Sequence, residues 1–235
     1  ITLIFPLQFE KQWLTVSWAL EGAALCWLFR RVPHPGLRMA GGGLLAAAFV
    51  RLALNPAVFA YHVRRSVAIL NWQLYAYGLT AAALFLAAWW LPSRRDASGC
   101  LPGRIDFPRL YTILGGILLF LLLNIEIADA FTPAGSTSIV FEFSGNFARD
   151  MTYSIAWGLF ALGLLITGFI TRSPQTRYGG IGLLAVTLLK LFLHDLAAIE
   201  NIYRIGTLIA VALIALAASF LYQRFINRGD DSPTP

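Results

Sequence analysis

Charged residues are scarce in this chain. They make up only 13% of its 235 residues, whereas hydrophobic residues make up 58%, and the mean hydropathy is +0.68. A soluble protein of this length needs more polar surface than this composition provides. The scarcity of charge therefore excludes an ordinary soluble domain and predicts that the lipid bilayer is the main partner of the chain.

Cysteine is also scarce, and the short catalytic motifs are missing. The two cysteines are Cys26, inside the first long apolar stretch, and Cys100, in a loop predicted below to be cytoplasmic. We expect no disulfide between them, because cytoplasmic thiols stay reduced. The sequence contains no CxxC, HExxH, P-loop or Gly-x-Ser-x-Gly pattern. It therefore predicts no cofactor, no metal site and no defined catalytic residue, and it leaves open whether the protein is an enzyme.

Long apolar stretches are what the sequence has in abundance. A helix of about 20 residues crosses a hydrocarbon core of roughly 30 Å, and only a helix satisfies its own backbone hydrogen bonds in lipid. Seven stretches meet this length and do not alternate as barrel strands would. They lie near residues 12–29, 37–54, 72–91, 108–124, 151–171, 178–195 and 203–223. The predicted fold class is all-α, a polytopic transmembrane helical bundle of about seven spans.

The basic residues predict the orientation of these spans. Eleven of the eighteen Lys and Arg residues fall in loops one–two, three–four and five–six and in the C-terminal tail, while five fall on the opposite side. The positive-inside rule assigns the eleven to the cytoplasm. Because they are scattered over short loops and not massed on one domain, no nucleic-acid partner is predicted.

The chain also aligns with itself, which indicates a tandem duplication. At an offset of 139 residues, spans one and two match spans five and six, and at an offset of 130 the third span matches the seventh. The matched pairs include Trp18–Trp157, Pro35–Pro174, Arg38–Arg177, Gly41–Gly180, Arg51–Lys190 and Asn71–Asn201. Four spans separate equivalent helices, so both copies insert in the same direction, as a parallel repeat of four plus three helices. Gly41 and Gly180 fit close helix packing better than a phosphate loop.

This repeat predicts the domain organisation. We expect a first four-helix repeat over residues 1–124, an external loop over 125–150, a second repeat of three helices over 151–227, and a disordered polar tail over 228–235. The chain starts at Ile1 and its second repeat has no fourth helix. We therefore expect it to be a piece of a longer protein with further spans.

The candidate functional residues are the charges in or beside the membrane, where burial is costly. Arg51 and Lys190 occupy equivalent positions, and Arg51 lies 13 residues beyond Arg38, roughly 20 Å from the cytoplasmic face. Two interpretations stay open: the cations extend to the headgroups, or each pairs with an acid at the external face. Glu21 lies inside the first span of one copy only, since Phe160 is its equivalent.

Acids occur on the same predicted external face. Glu126 and Asp129 follow the fourth span and share a helical face if that helix continues. Asp150 precedes the fifth span, where it is either a helix cap or a site residue. His194 fits an interfacial residue better than a metal ligand. The complete set of candidates for a substrate or ion path is Glu21, Arg51, Glu126, Asp129, Asp150, Lys190, His194, Asp195 and Arg204. We expect Glu126 and Asp129 to lie near Lys190 or Arg204, and the alternative is that all four charges point separately into headgroups.

Five stretches of the chain resemble domain of unknown function family 2339, a family of large bacterial membrane proteins with many predicted spans. They are residues 14–23, with Trp18 and Glu21; 124–131, with Glu126 and Asp129; 141–154, with Arg149 and Asp150; 188–195, with Lys190; and 203–225, with Tyr203 and Arg204. The resemblance covers nearly the whole chain. It implies a multi-pass protein of the bacterial inner membrane, and the family has no established activity to carry over.

Three functions are compatible with these features. A transporter or permease for an envelope-related solute would use the external charges and Glu21 as a path, and this is the favoured hypothesis. A structural or assembly scaffold of the cell envelope would use the repeats only for packing. A membrane-embedded enzyme acting on lipid-linked substrates would use Glu126, Asp129 or Asp150 as a base.

The orientation can be tested by labelling. In a background without Cys26 and Cys100, Ser136→Cys should react with a membrane-impermeant maleimide added from outside, because the loop after the fourth span is predicted to be external. Ala97→Cys, in the loop before that span, should react only after the membrane is opened. The reverse pattern would invert the topology.

Overall fold

Every regular element described in the structure, a computed structural model, is an α-helix. The structure describes residues 11–54, 71–91, 106–133, 139, 141, 146–192 and 201–226. Within these ranges there are seven helices, which confirms the predicted all-α class. They are α1 (Lys11–Arg31), α2 (Pro35–Leu54), α3 (Trp72–Trp90), α4 (Phe107–Phe131), α5 (Phe147–Ile170), α6 (Pro174–Lys190) and α7 (Asn201–Ile226).

Three of these helices are long and apolar enough to cross a membrane by themselves: α2, α4 and α5. Helix α6 has 17 residues, and the apolar part of α7 among the described residues, Ile209–Phe220, is also shorter than a span. Large apolar side chains such as Met39, Leu159 and Ile170 are exposed on the helices. Such surface suits contact with lipid and not with water. That all seven helices cross the membrane stays a prediction.

Beside the candidate acids, two helix ends differ from the predicted bounds. Helix α4 continues to Phe131 instead of ending at 124, because Ile125, Ile127 and Ala128 are buried and extend its packed face. Helix α5 begins at Phe147, and its N-cap is Asn146, whose side chain accepts a hydrogen bond from the Arg149 amide. The interpretation of Asp150 as the cap is therefore wrong, and Asp150 lies in the first turn of α5.

The chain divides into two compact units, residues 1–141 and 142–235, which we describe separately. In the first unit, α1 packs against α2 and α3, and α3 packs against α4. Its core contains Cys26, Leu45, Tyr77 and Leu118, all fully buried. In the second unit, α5 packs against α6 and α7.

The first two helices of each unit cross at a glycine. A Cβ atom on Gly41 would lie 2.9 Å from the carbonyl oxygen of Gly22 and 3.1 Å from the sulfur of Cys26. A Cβ atom on Gly180 would lie 3.0 Å from the carbonyl oxygen of Ala161 and 2.9 Å from Leu165. Ala161 and Leu165 are the equivalents of Gly22 and Cys26 at the offset of 139. The two units therefore share not only sequence but also the register of this crossing.

In the first unit, α3 runs antiparallel to α2, and α4 runs antiparallel to α3. The Tyr77 hydroxyl, near the start of α3, donates to the carbonyl of Leu52, near the end of α2, at 2.7 Å. A Cβ atom on Gly115 of α4 would lie 3.0 Å from the ring of Phe85 on α3. Consequently α1 and α3 begin, and α2 and α4 end, at one common end of the first unit, which we term the acid end because Glu126 and Asp129 lie there.

The glycine crossing can be tested with matched substitutions. Gly41→Ala and Gly180→Ala should each lower the free energy of unfolding by about 1–3 kcal/mol, the usual cost of overpacking, because the new methyl group meets a backbone carbonyl. Gly43→Ala and Gly182→Ala are the controls, since a Cβ atom there meets nothing within 4 Å. They should be neutral or stabilising by up to about 1 kcal/mol, the helix preference for Ala over Gly. Thermal unfolding in detergent measures all four, and equal effects at both pairs would contradict the crossing.

Candidate functional site

The two acids of α4 lie on its last two turns. Since the helix continues through them, Glu126 and Asp129 are three residues apart on one face, as the sequence predicts for a continuing helix. Asp129 is 1% exposed, and Glu126 is half-buried. Burial of carboxylates at the end of an apolar helix is costly unless polar groups surround them.

Asn71 supplies such a group. Its side-chain oxygen accepts a hydrogen bond from the Leu74 amide at 2.8 Å, which makes it the N-cap of α3. Its side-chain nitrogen donates to Asp129 Oδ2 at 3.3 Å. A single amide therefore caps the start of one helix and binds Asp129 near the end of the next. In the internal repeat Asn71 matches Asn201, but no pattern in the sequence predicts this role for it.

Polar side chains continue from the acid end along the buried face of α3. Gln73, Tyr77 and Thr80 are all fully buried, and their spacing of four and three residues puts them on one face of the helix. The Gln73 amide and the Thr80 hydroxyl have no hydrogen-bond partner among the described residues. The first unit thus holds buried polar groups in its apolar interior that no described residue satisfies, a feature that is rare in folded proteins.

The two equivalent cations both contact the first helix of their own unit. The Arg51 guanidinium lies over the ring of Trp18 on α1, 5.9 Å from its centroid. Lys190 Nζ donates to Ser154 Oγ at 2.9 Å and to the backbone carbonyl of Asp150 at 3.3 Å, both on α5. The position is the same in each copy, whereas the group that holds the cation differs.

Arg149 adds a charge to the second unit that the sequence analysis did not single out as a site residue. Its Nε lies 3.9 Å from Asp150 Oδ1, and the two side chains are only 8% and 13% exposed. Arg149, Asp150 and Lys190 therefore form one charge cluster where α5 begins and α6 ends. The signal in the sequence was the adjacent Arg149-Asp150 pair in the first turn of an apolar helix.

The remaining candidates are Glu21, His194, Asp195 and Arg204. Glu21 lies in α1 beside the crossing glycine Gly22 and is half-buried. Arg204 belongs to the first turn of α7, and His194 and Asp195 lie outside the described residues. The expected pairing of Glu126 and Asp129 with Lys190 or Arg204 joins residues of two separate units, and it stays a prediction. Among the described residues, no group of three His, Cys, Asp or Glu side chains could hold a metal ion.

A family model for predicted membrane proteins, DUF2339, matches the chain over residues 1–143 and 52–225. The chain belongs to this family. No curated protein and no solved structure matches it.

Membership in DUF2339 establishes a membrane protein and leaves its activity open, because the family is described only as predicted membrane proteins. Three of the stretches that carry the resemblance to DUF2339 lie at helix ends. Residues 124–131 are the end of α4 with its two acids, residues 146–154 are the start of α5, and residues 188–190 are the end of α6.

Two N-cap asparagines allow the role of Asn71 to be tested. An aspartate keeps the cap acceptor, so Asn146→Asp should be neutral or slightly stabilising at the positive end of the α5 dipole. Asn71→Asp also keeps the cap but replaces the donor to Asp129 with a third carboxylate. It should lower the free energy of unfolding by about 1–3 kcal/mol, the cost of a buried polar group left without its partner. Equal thermal stability of the two variants would show that the Asn71 amide contributes only the cap.

Proposed function

We propose that this protein is permease-like and moves an envelope-related solute across the membrane, with Glu126, Asp129 and Asn71 as a cation- or proton-binding element of the path. The observation that carries the proposal is the burial of Asp129, one turn after Glu126, in the last turns of a membrane-spanning helix. An ionisable group in such a place is a candidate functional residue, since an apolar residue would be cheaper there.

The chemistry of the cluster supports this proposal. Two carboxylates three residues apart repel each other when both are charged, and a proton or a cation relieves that repulsion. The Asn71 amide is neutral and donates, so it can hold a carboxylate oxygen in either state of charge. The acid cluster can therefore change its charge without losing its anchor.

The buried face of α3 supports the same function. The Gln73 amide and the Thr80 hydroxyl offer donors and acceptors that no described residue uses. Groups of this kind line polar paths in membrane proteins, because in lipid they need a partner such as water or a solute. We propose an envelope-related solute because the acid end is predicted to lie on the external face of the membrane.

The scaffold and enzyme hypotheses predict different behaviour. A structural or assembly scaffold needs the glycine crossings but no buried acids, so charge removal would leave its physiology unchanged. An enzyme on lipid-linked substrates would release a soluble headgroup product. The charge cluster of the second unit, with Arg149 and Lys190, suits an anionic headgroup. An enzyme and a transporter could both use it in this way, so it does not distinguish between them.

Proton flux tests the proposal without knowledge of the solute. The purified chain is reconstituted into vesicles that contain a pH-sensitive dye, and a potassium diffusion potential drives protons inward. We expect flux above that of empty vesicles, reduced to their level by Asp129→Asn and lowered by Glu126→Gln, because an amide cannot exchange a proton. If sodium rather than protons is bound, the same variants should abolish uptake of radioactive sodium.

Asp106→Asn is the matched control for this experiment. Asp106 precedes the same helix at its opposite end, where it pairs with the half-exposed Arg109 at 2.9 Å, so its removal should leave flux unchanged. Equal ion flux in all variants, or none above empty vesicles for a monodisperse helical protein, would contradict the permease proposal and favour a scaffold.

A further inference from the structure

The second unit has an apolar groove between its helices. The groove has a volume of about 230 Å³ and presents almost only carbon. It is lined by Leu165, Ile181, Leu184, Ala215, Ala218, Ser219 and Tyr222, and we term it the α5–α6–α7 groove. In a membrane, an apolar groove has two natural occupants, lipid chains or another helix, and the internal repeat decides between them.

The equivalent residues of the first unit belong to a packed core. At the offsets of 139 and 130, Leu165 corresponds to Cys26, Leu184 to Leu45, and Ala218 to Ala88. Cys26 and Leu45 are fully buried, and Ala88 packs against the same cluster. Leu165 and Ala218 are also buried in the second unit, but there a groove stays open above them.

Helix α4 is what covers this place in the first unit. The hydroxyl of Tyr111 lies against Gly42, where a Cβ atom would be 2.8 Å from it, and the ring of Phe85 lies against Gly115 at 3.0 Å. On α4, the large residue Tyr111 thus faces the small Gly42 of α2, and four positions later the small residue Gly115 faces the large Phe85 of α3.

In the groove of the second unit, the residue sizes at both equivalent positions are reversed. Ile181 stands at the position of Gly42, and Ala215 stands at the position of Phe85. Ile181 is 43% exposed, so nothing described covers it. A helix that fits here needs a small residue beside Ile181 and a large one four positions later beside Ala215, which is the opposite order to Tyr111 and Gly115 of α4.

We infer that the α5–α6–α7 groove binds a partner membrane-spanning helix with this small-then-large pattern, running antiparallel to α7 as α4 runs antiparallel to α3. Ala215 and Ser219 are four residues apart and give the small-x-x-x-small surface on which helix backbones approach closely in lipid. This inference does not depend on the proposed transport function.

Two synthetic helices test the size pattern directly. One helix has the unchanged sequence of residues 107–131, and the other has the same sequence with Tyr111→Ala and Gly115→Leu. Each helix carries a fluorescent acceptor. The full chain, without Cys26 and Cys100, carries a donor at Ser219→Cys in lipid nanodiscs. We expect the altered helix to bind about tenfold more tightly than the unchanged one, the consequence of removing one steric clash.

Two controls keep the test specific to the groove. A donor at Leu216→Cys, which is 65% exposed on the same helix, should report weaker energy transfer than the donor in the groove. Ala215→Trp fills the groove, and it should abolish binding of the altered helix while thermal stability is kept.

Three results would overturn the inference. The first is equal binding of both helices or equal transfer at both donor positions. The second is a disulfide between two copies through Ser219→Cys in the absence of any added helix, since a second copy would then occupy the groove. The third is quenching of the groove donor by brominated acyl chains that no added helix displaces, which would identify lipid as the occupant.

Discussion

The close approach of two backbones at Gly41 and at Gly180 is the constraint on which the rest of each unit depends. In a bilayer the hydrophobic effect does not press helices together, because lipid tails are as apolar as the side chains, so shape and contact distance set the register. Once the crossing is fixed, the end of the second helix lies beside the start of the first. That register puts Arg51 over Trp18 and Lys190 beside Ser154.

The two cations show how one register can be completed with different chemistry. A guanidinium is planar and weakly hydrated, so it lies well on an aromatic face, whereas an ammonium is a compact charge that prefers oxygen. The first copy has Arg51 with Trp18, and the second has Lys190 with a hydroxyl and a carbonyl. Duplication thus preserved the place of the charge while each copy changed the residue together with the group that holds it.

Much of this architecture could be predicted from the sequence, because helix length and the repeat are local or periodic signals. The end of α4 could not, since Glu126 and Asp129 interrupt the apolar run and only the burial of Ile125 shows that the helix continues. The role of Asn71 was also hidden. It depends on a contact with Asp129, 58 residues away, and no spacing rule relates a cap to the far end of the next helix. The size differences between Ile181 and Gly42 and between Ala215 and Phe85 are present in the self-alignment of the sequence. Their consequence for packing depends on α4, which covers Gly42 and Phe85 in the first unit.

The two hydrogen bonds of the Asn71 side chain have a mechanical consequence. One end of the amide is fixed by the first turn of α3 and the other by the last turn of α4, so its side-chain torsions are set from both sides. The start of α3 and the end of α4 are thereby connected through the conformation of a single side chain. A change of charge on Asp129 would therefore alter its hydrogen bond with Asn71 and, through the cap, the stability of the first turn of α3.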